Sequence, residues 1–137
     1  MSGSRHGGVA NEIRALLADP AAIADPKKAI AARWERSKRI PGFGLPLYPH
    51  GDPRAAALLS RLPVRGFARR LIEAVQHTAG VAPNIDFALV VLETQLRLPP
   101  GAAFALFATG RTVGWIAHVL EQWQADTLIR PRAQQDS

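Results

Sequence analysis

The residues of this chain best suited to chemistry are arginines and a carboxylate at the edges of predicted helices. Asp52-Pro53-Arg54 closes a Gly- and Pro-rich stretch that runs from Gly42 through Phe43, Gly44, Leu45, Pro46, Leu47, Tyr48, Pro49, His50 and Gly51. Asp52 is a good N-cap, and Pro53 suits the first helical position. Arg54 then falls in a first helical turn, where exposed N–H groups and the helix dipole favour an anion. A cation there does little for its own helix and is better placed to grip a ligand carboxylate. Asp86, within Pro83-Asn84-Ile85-Asp86-Phe87, stands near another helix start. The dipole alone favours an acid there, so Asp86 reads either as a capping-region carboxylate or, in a dry site, as a general base. Arg111 lies inside a long apolar stretch, where a buried cation needs a partner such as Asp86 or a bound carboxylate. His6, His50, His77 and His118 show no metal-ligand spacing. The last three read as structural or exposed, and no metal is expected.

The elements that must position these residues read as helix after helix, and the fold class is all-α. Asn11 to Ala18 places Ile13, Leu16 and Leu17 on one face, and Asp19-Pro20 reads as its stop. Asp25 caps a second helix from Pro26 to about Ser37. Residues 38–51 are irregular, and Asp52 opens a third helix to Leu62. Gly66 to Thr78 turns Phe67, Leu71, Ile72 and Val75 inward and stops at Gly80. Asn84 to Leu96 is nearly all apolar and should be deeply buried. After Pro99-Pro100-Gly101, Ala102 to Trp123 is a long helix apolar on most sides, and the tail from Ile129 reads as irregular. Two helices apolar nearly all round need neighbours on every side, which points to a dimer or to further protein. The three Trp residues read as core.

A chain of 137 residues supports one ordinary globular unit. Seventeen basic against eleven acidic residues give a net charge of +6. The basic residues are scattered, so nucleic acid is an unlikely partner, and carboxylates or CoA phosphates suit them better. No apolar run reaches about 18 residues free of charge, so no membrane span is expected. Zero cysteines exclude disulfides and fit a cytoplasmic location.

Four blocks of sequence together resemble the citrate synthase family. Gly42-Phe43-Gly44 followed by Tyr48 and Asp52-Pro53-Arg54 is similar to a turn that the family writes Gly-Phe-Gly-His-x-x-Tyr…Asp-Pro-Arg, with Leu45 where the family has histidine. His6-Gly7-Gly8-Val9-Ala10-Asn11-Glu12 resembles its His-Gly-Gly-Ala-Asn-Glu block with one extra residue. Asn84-Ile85-Asp86 resembles its Asn-Val/Ile-Asp block. Gly110-Arg111-Thr112-Val113-Gly114-Trp115 with Ile129-Arg130-Pro131-Arg132 resembles its closing segment.

The resemblance implies a citrate synthase-like helical fold that lacks the family's upstream large-domain helices. Residues 1–99 would be the small-domain region, with 1–10 a candidate for disorder, and 100–137 the closing helix and tail of the large domain. It implies an acyltransferase that joins acetyl-CoA to oxaloacetate or a related keto acid, with CoA entering as a substrate and no tightly bound cofactor. Asp86 matches the base that deprotonates the acetyl methyl, and His6 the histidine that stabilises the enol. Arg54 and Arg111 match carboxylate-binding arginines, and Arg130 the arginine that reaches into the partner subunit's site. Phe107 matches an aromatic residue of the substrate pocket. Ile40, Pro41, Gly42, Phe43 and Gly44 match the segment that wraps the CoA adenine. Leu45 replaces the histidine that polarises the ketone. The missing upstream helices imply a homodimer or a complementing citrate synthase-like chain; the alternative is a catalytically impaired remnant that binds CoA or carboxylates.

Overall fold

The computed structural model describes residues 5–124. Among them are seven helices: α1 (Arg5–Ala18), α2 (Pro20–Ala24), α3 (Pro26–Ser37), α4 (Pro53–Leu59), α5 (Gly66–Ala79), α6 (Ile85–Gln95) and α7 (Ala102–Gln124). The described residues divide into two compact units between Phe107 and Ala108, a boundary that α7 runs through. The all-α expectation holds.

The same short grammar starts three helices. Asp19, Asp25 and Asp52 each cap a helix whose first residue is proline, and each accepts a backbone N–H from the first turn. This corrects the reading of Asp19-Pro20 as a stop, because the pair opens the one-turn helix α2. Asp25 both ends α2 and caps α3. Helix α4 ends at Leu59, earlier than the expected Leu62, because Ser60 to Leu62 turn back toward Pro63. At the end of α5, Gly80 adopts φ 66 and returns its N–H to the Gln76 carbonyl, the left-handed cap that glycine provides without strain.

The core of the first unit is built around α6. Phe87, Ala88, Leu89, Val90 and Val91 are all buried, so this helix is wrapped from all sides as its composition predicted. Ile13 and Leu16 of α1, Ile30 of α3 and Leu71 and Val75 of α5 complete the cluster. Fully burying one such side chain contributes about 1.5–3 kcal/mol. Residues 5–10, expected as a disordered start, belong to α1, because Val9 and Ala10 pack onto this cluster.

Helix α6 also carries a buried acid, Glu93, within its apolar surface. Arg14 of α1 reaches it with Nε to Oε1 at 2.8 Å and Nη2 to Oε2 at 2.9 Å. Glu93 also accepts the Ala103 N–H at 2.7 Å, so it caps the start of α7 from a neighbouring helix. Burial pushes the Glu93 carboxyl up, but the Ala103 N–H, the Arg14 guanidinium and the Gly101 N–H outweigh it and hold the group below its ordinary value.

Beyond its first turns α7 is exposed, and Val113, Trp115, Ile116, Val119, Leu120 and Trp123 face outward. Trp115 and Trp123 therefore depart from the expected core role, while Trp34 packs against the core. By length and composition α7 is also long and apolar enough to cross a membrane, with mean hydropathy 1.2 over its best window. The expectation of no such segment missed this, because one arginine does not outweigh the surrounding apolar residues.

Candidate functional site

The site region forms where the loop after α3 meets the segment before α6. Gly44 N–H donates to the Ala82 carbonyl and Asn84 N–H to the Gly42 carbonyl, both at 2.9 Å, which makes a short antiparallel bridge between Phe43 and Pro83. Gly42 is required there twice over. Its φ is +83, and a Cβ would stand 2.9 Å from the Phe87 Cβ and 3.0 Å from the Ile13 side chain. Phe43 in turn stacks at 4.7 Å on the Phe87 ring, tilted by 52°. Asn84 ties the two segments to the helix: its Nδ2 donates to the Gly44 carbonyl, and its Oδ1 accepts from the N–H groups of Asp86 and Phe87.

Asp52 makes a second tie. Its side chain is buried, caps α4 through the Arg54 N–H at 3.0 Å, and accepts the Ile85 N–H at 3.0 Å. The Arg54 guanidinium folds back onto the same carboxylate, with Nε to Oδ1 at 3.0 Å and Nη2 to Oδ2 at 2.9 Å. Its carbon lies 5.3 Å from the Tyr48 ring centroid, in cation–π range. Burial pushes the Asp52 carboxyl up, but the Arg54 side chain and the two N–H donors more than compensate, so it lies below its ordinary value. The Asp52 hydrogen bond chiefly raises the Arg54 group, and the charge of Asp86 adds to that.

The loop encloses a cleft of about 540 Å³ lined by Ile40, Phe43, Gly44 and Leu45, with Trp34, Lys38 and Arg39 on one side and Val81 to Asn84 on the other. Pro41 and Gly42 are buried and do not line it. Lys38 and Arg39 are exposed and ion-paired with Glu35 and Glu12, each at 3.2 Å. Asp86 is half-buried outside this cleft, in a small hollow shared with Ala10, Leu89, Ala103, Phe104 and Phe107. The structure therefore brings Asp86 and Phe107 together, and Asp52 ties Arg54 to Ile85, the residue before Asp86.

Other expected site residues fall elsewhere. His6 lies in the first turn of α1, and its side chain is outside the described residues, as is all of Arg130. Arg111 belongs to the second unit and is exposed, with its guanidinium 6.0 Å from the Trp115 ring centroid. It is not the buried cation expected of an apolar helix, because the faces around it are themselves open to solvent. His50, His77 and His118 are exposed. Among the described residues no cluster of three His, Asp or Glu side chains could hold a metal ion.

Sequence reasoning missed the reach of Asp52 to Ile85, the seat of Arg54 on Tyr48 and the Arg14–Glu93 pair. Only the last left a signal, as an acid in the last turn of a helix that is apolar from Phe87 to Leu92.

The sequence model described as citrate synthase, C-terminal domain, matches residues 1–132. The chain belongs to the citrate synthase family. It is 36% identical to the citrate synthase of Haloferax volcanii, over 97% of this chain and 38% of that protein. It is 32% identical to citrate synthase 2 of Bacillus subtilis, again over 97% of this chain and 38% of the relative. It is 33% identical to the 2-methylcitrate synthase of Mycobacterium tuberculosis, over 96% of this chain and 36% of that protein. The chain thus spans well under half the length of these citrate synthase relatives.

Proposed function

We propose that this chain is the C-terminal part of a citrate synthase-type acyltransferase, converting acetyl-CoA, oxaloacetate and water to citrate and CoA together with the upstream portion of the fold. The observation that carries this reading is the tie that Asp52 makes between Arg54 and Ile85, the residue before Asp86, in a chain whose relatives are citrate synthases.

In this reading the Asp86 carboxylate removes a proton from the acetyl methyl, while His6 hydrogen-bonds the developing enol oxygen. Neither step succeeds alone, because the methyl of a thioester is a very weak acid. The enol carbon then attacks the ketone carbon of oxaloacetate, whose carboxylates are held by Arg54, Arg111 and Arg130 as planar bidentate partners. The ketone oxygen takes up a proton from water to give citryl-CoA, Asp86 returns its proton to water, and a further water cleaves the thioester to citrate and CoA. Phe107 borders the substrate beside Asp86. The loop from Ile40 to Gly44 takes the adenine end of CoA, with Lys38 and Arg39 near its phosphates. No tightly bound cofactor takes part, and the absence of cysteine fits the cytoplasm. The working unit is a homodimer or a complex with a complementing citrate synthase-like chain.

The test is thiol release from acetyl-CoA and oxaloacetate by the chain combined with the upstream region of a relative. Turnover that disappears in Asp86→Ala supports the enzyme. No turnover under any pairing, with Leu45→His included, removes it.

Leu45 favours a second reading. A leucine lines the cleft where the resemblance expects an electrophilic histidine, and it can donate nothing to a ketone oxygen. The chain would then be a CoA- or carboxylate-binding remnant. Saturable CoA binding by calorimetry without turnover supports this, and no heat at millimolar CoA removes it.

A further inference from the structure

Asp52 takes no part in the proposed reaction, yet it touches the two helix starts that carry Arg54 and Asp86. It is 4% exposed and receives four hydrogen bonds: the backbone N–H, Nε and Nη2 of Arg54, and the backbone N–H of Ile85. Arg54 is the second residue of α4, and Ile85 directly precedes Asp86 at the start of α6. A capping role for α4 needs only one of these bonds. The other three bind a second helix and a side chain that is itself 47% exposed. An exposed arginine normally samples many rotamers, and freezing one costs entropy at the moment of ligand binding. Here that cost is met in the folded chain, because Asp52 holds the Nε–Nη2 edge and Tyr48 supports the guanidinium plane. A guanidinium has five N–H donors, and a grip on the Nε–Nη2 edge leaves the Nη1–Nη2 edge for a second carboxylate.

We propose that Asp52 is a positioning residue that sets Arg54 and the start of α6 in one frame, so that the Nη1–Nη2 edge of Arg54 is a preformed carboxylate grip fixed to the helix that bears Asp86. The identity of the carboxylate, oxaloacetate, rests on the citrate synthase-type reading; the positioning does not.

The experiment is a side-chain arginine NMR titration of the full-length chain, labelled with ¹⁵N, against oxaloacetate, with sodium chloride at matched ionic strength as control. In the wild-type chain the Arg54 Nε–H gives a slowly exchanging signal at neutral pH and shifts saturably with oxaloacetate but not with chloride. Asp52→Asn loses the slow exchange of Arg54 and weakens oxaloacetate binding by about tenfold. The Arg14 Nε–H, held by Glu93, persists and reports that the fold is intact. Asp52→Ser, which keeps a good cap for α4 but cannot grip a guanidinium, shows the same loss. The proposal is overturned if either variant binds oxaloacetate as the wild type does, or if Arg54 stays protected in both. It is also overturned if neither variant folds, which would assign Asp52 to stability alone; an Arg54 Nε–H that is protected in the wild type and lost in both variants, with no saturable shift, upholds the positioning and removes oxaloacetate as its carboxylate. Asp52-dependent binding without turnover would sink the enzyme reading and leave this one standing.

Discussion

The Asp52 carboxylate accepts the backbone N–H of Ile85 at 3.0 Å, joining two helix starts that lie 33 residues apart in sequence. Glu93 repeats the device: it is buried, held by an arginine, and accepts the Ala103 N–H at the start of α7. Two acids thus cap helices other than their own. The candidate base Asp86 and the aromatic Phe107 sit on the helices so tied.

These two carboxylates make the fold acid-sensitive. Both are held below their ordinary values in the folded chain. Their stabilisation is therefore complete above the unfolded carboxylate values of about 4 and is lost as pH falls through the lower folded values. The urea midpoint should be flat from neutral pH to about 5 and fall steeply below about 4. A midpoint that does not fall on acidification would contradict this. Asp52→Asn should flatten the acid slope and lower the neutral midpoint.

Removing one side of the Arg14–Glu93 pair should cost more than removing both. Arg14→Met leaves the Glu93 carboxylate buried beside an apolar group, and about 2–3 kcal/mol should be lost, the lower range for such pairs because the Arg14 side chain is 30% exposed. Arg14→Met with Glu93→Gln should recover part of this. A double-variant loss equal to the sum of the two single-variant losses, measured by urea unfolding, would show that the pair is not coupled.

Two glycines with positive φ should respond differently to alanine. At Gly42 the new Cβ meets Phe87 and Ile13 at about 3 Å, so strain and overpacking together should cost about 2–4 kcal/mol. At Gly80 nothing lies within 4 Å, and only the backbone term of about 1 kcal/mol applies. Thermal unfolding of the two variants compares them directly, with Gly80→Ala expected to melt the higher.

In the assembled enzyme, Asp86→Asn should lower turnover by about 100- to 10,000-fold, the range for loss of a general base. Leu45→His should raise it by about 100-fold or more, the effect of one added donor at the ketone oxygen. Both are read from the rate of thiol release at saturating substrates, and a Leu45→His variant no faster than the parent would show that the position does not face the ketone.

Local rules in the sequence were enough for the helices. Asp-Pro pairs at 25–26 and 52–53, Gly80 and the apolar periodicity mark starts, stops and inward faces, because capping and amphipathicity act within one or two turns. The family was legible for a related reason: its motifs are short runs of contiguous residues. The same locality explains the error at Asp19-Pro20, where a pair that caps a following helix also looks like the end of the preceding one.

What only the tertiary structure decided is the company each charged group keeps. Asp52 could be recognised as the cap of α4, but not as the acceptor for Ile85 or the anchor of Arg54's side chain. Glu93 could be seen as an acid in an apolar helix, but not matched to Arg14, 79 residues away. Arg111 could be placed on an apolar helix, but not known to be exposed over Trp115. A hydrogen bond or ion pair is decided within about 3 Å of its partner, and for residues distant along the chain only the packed helices bring partners that close.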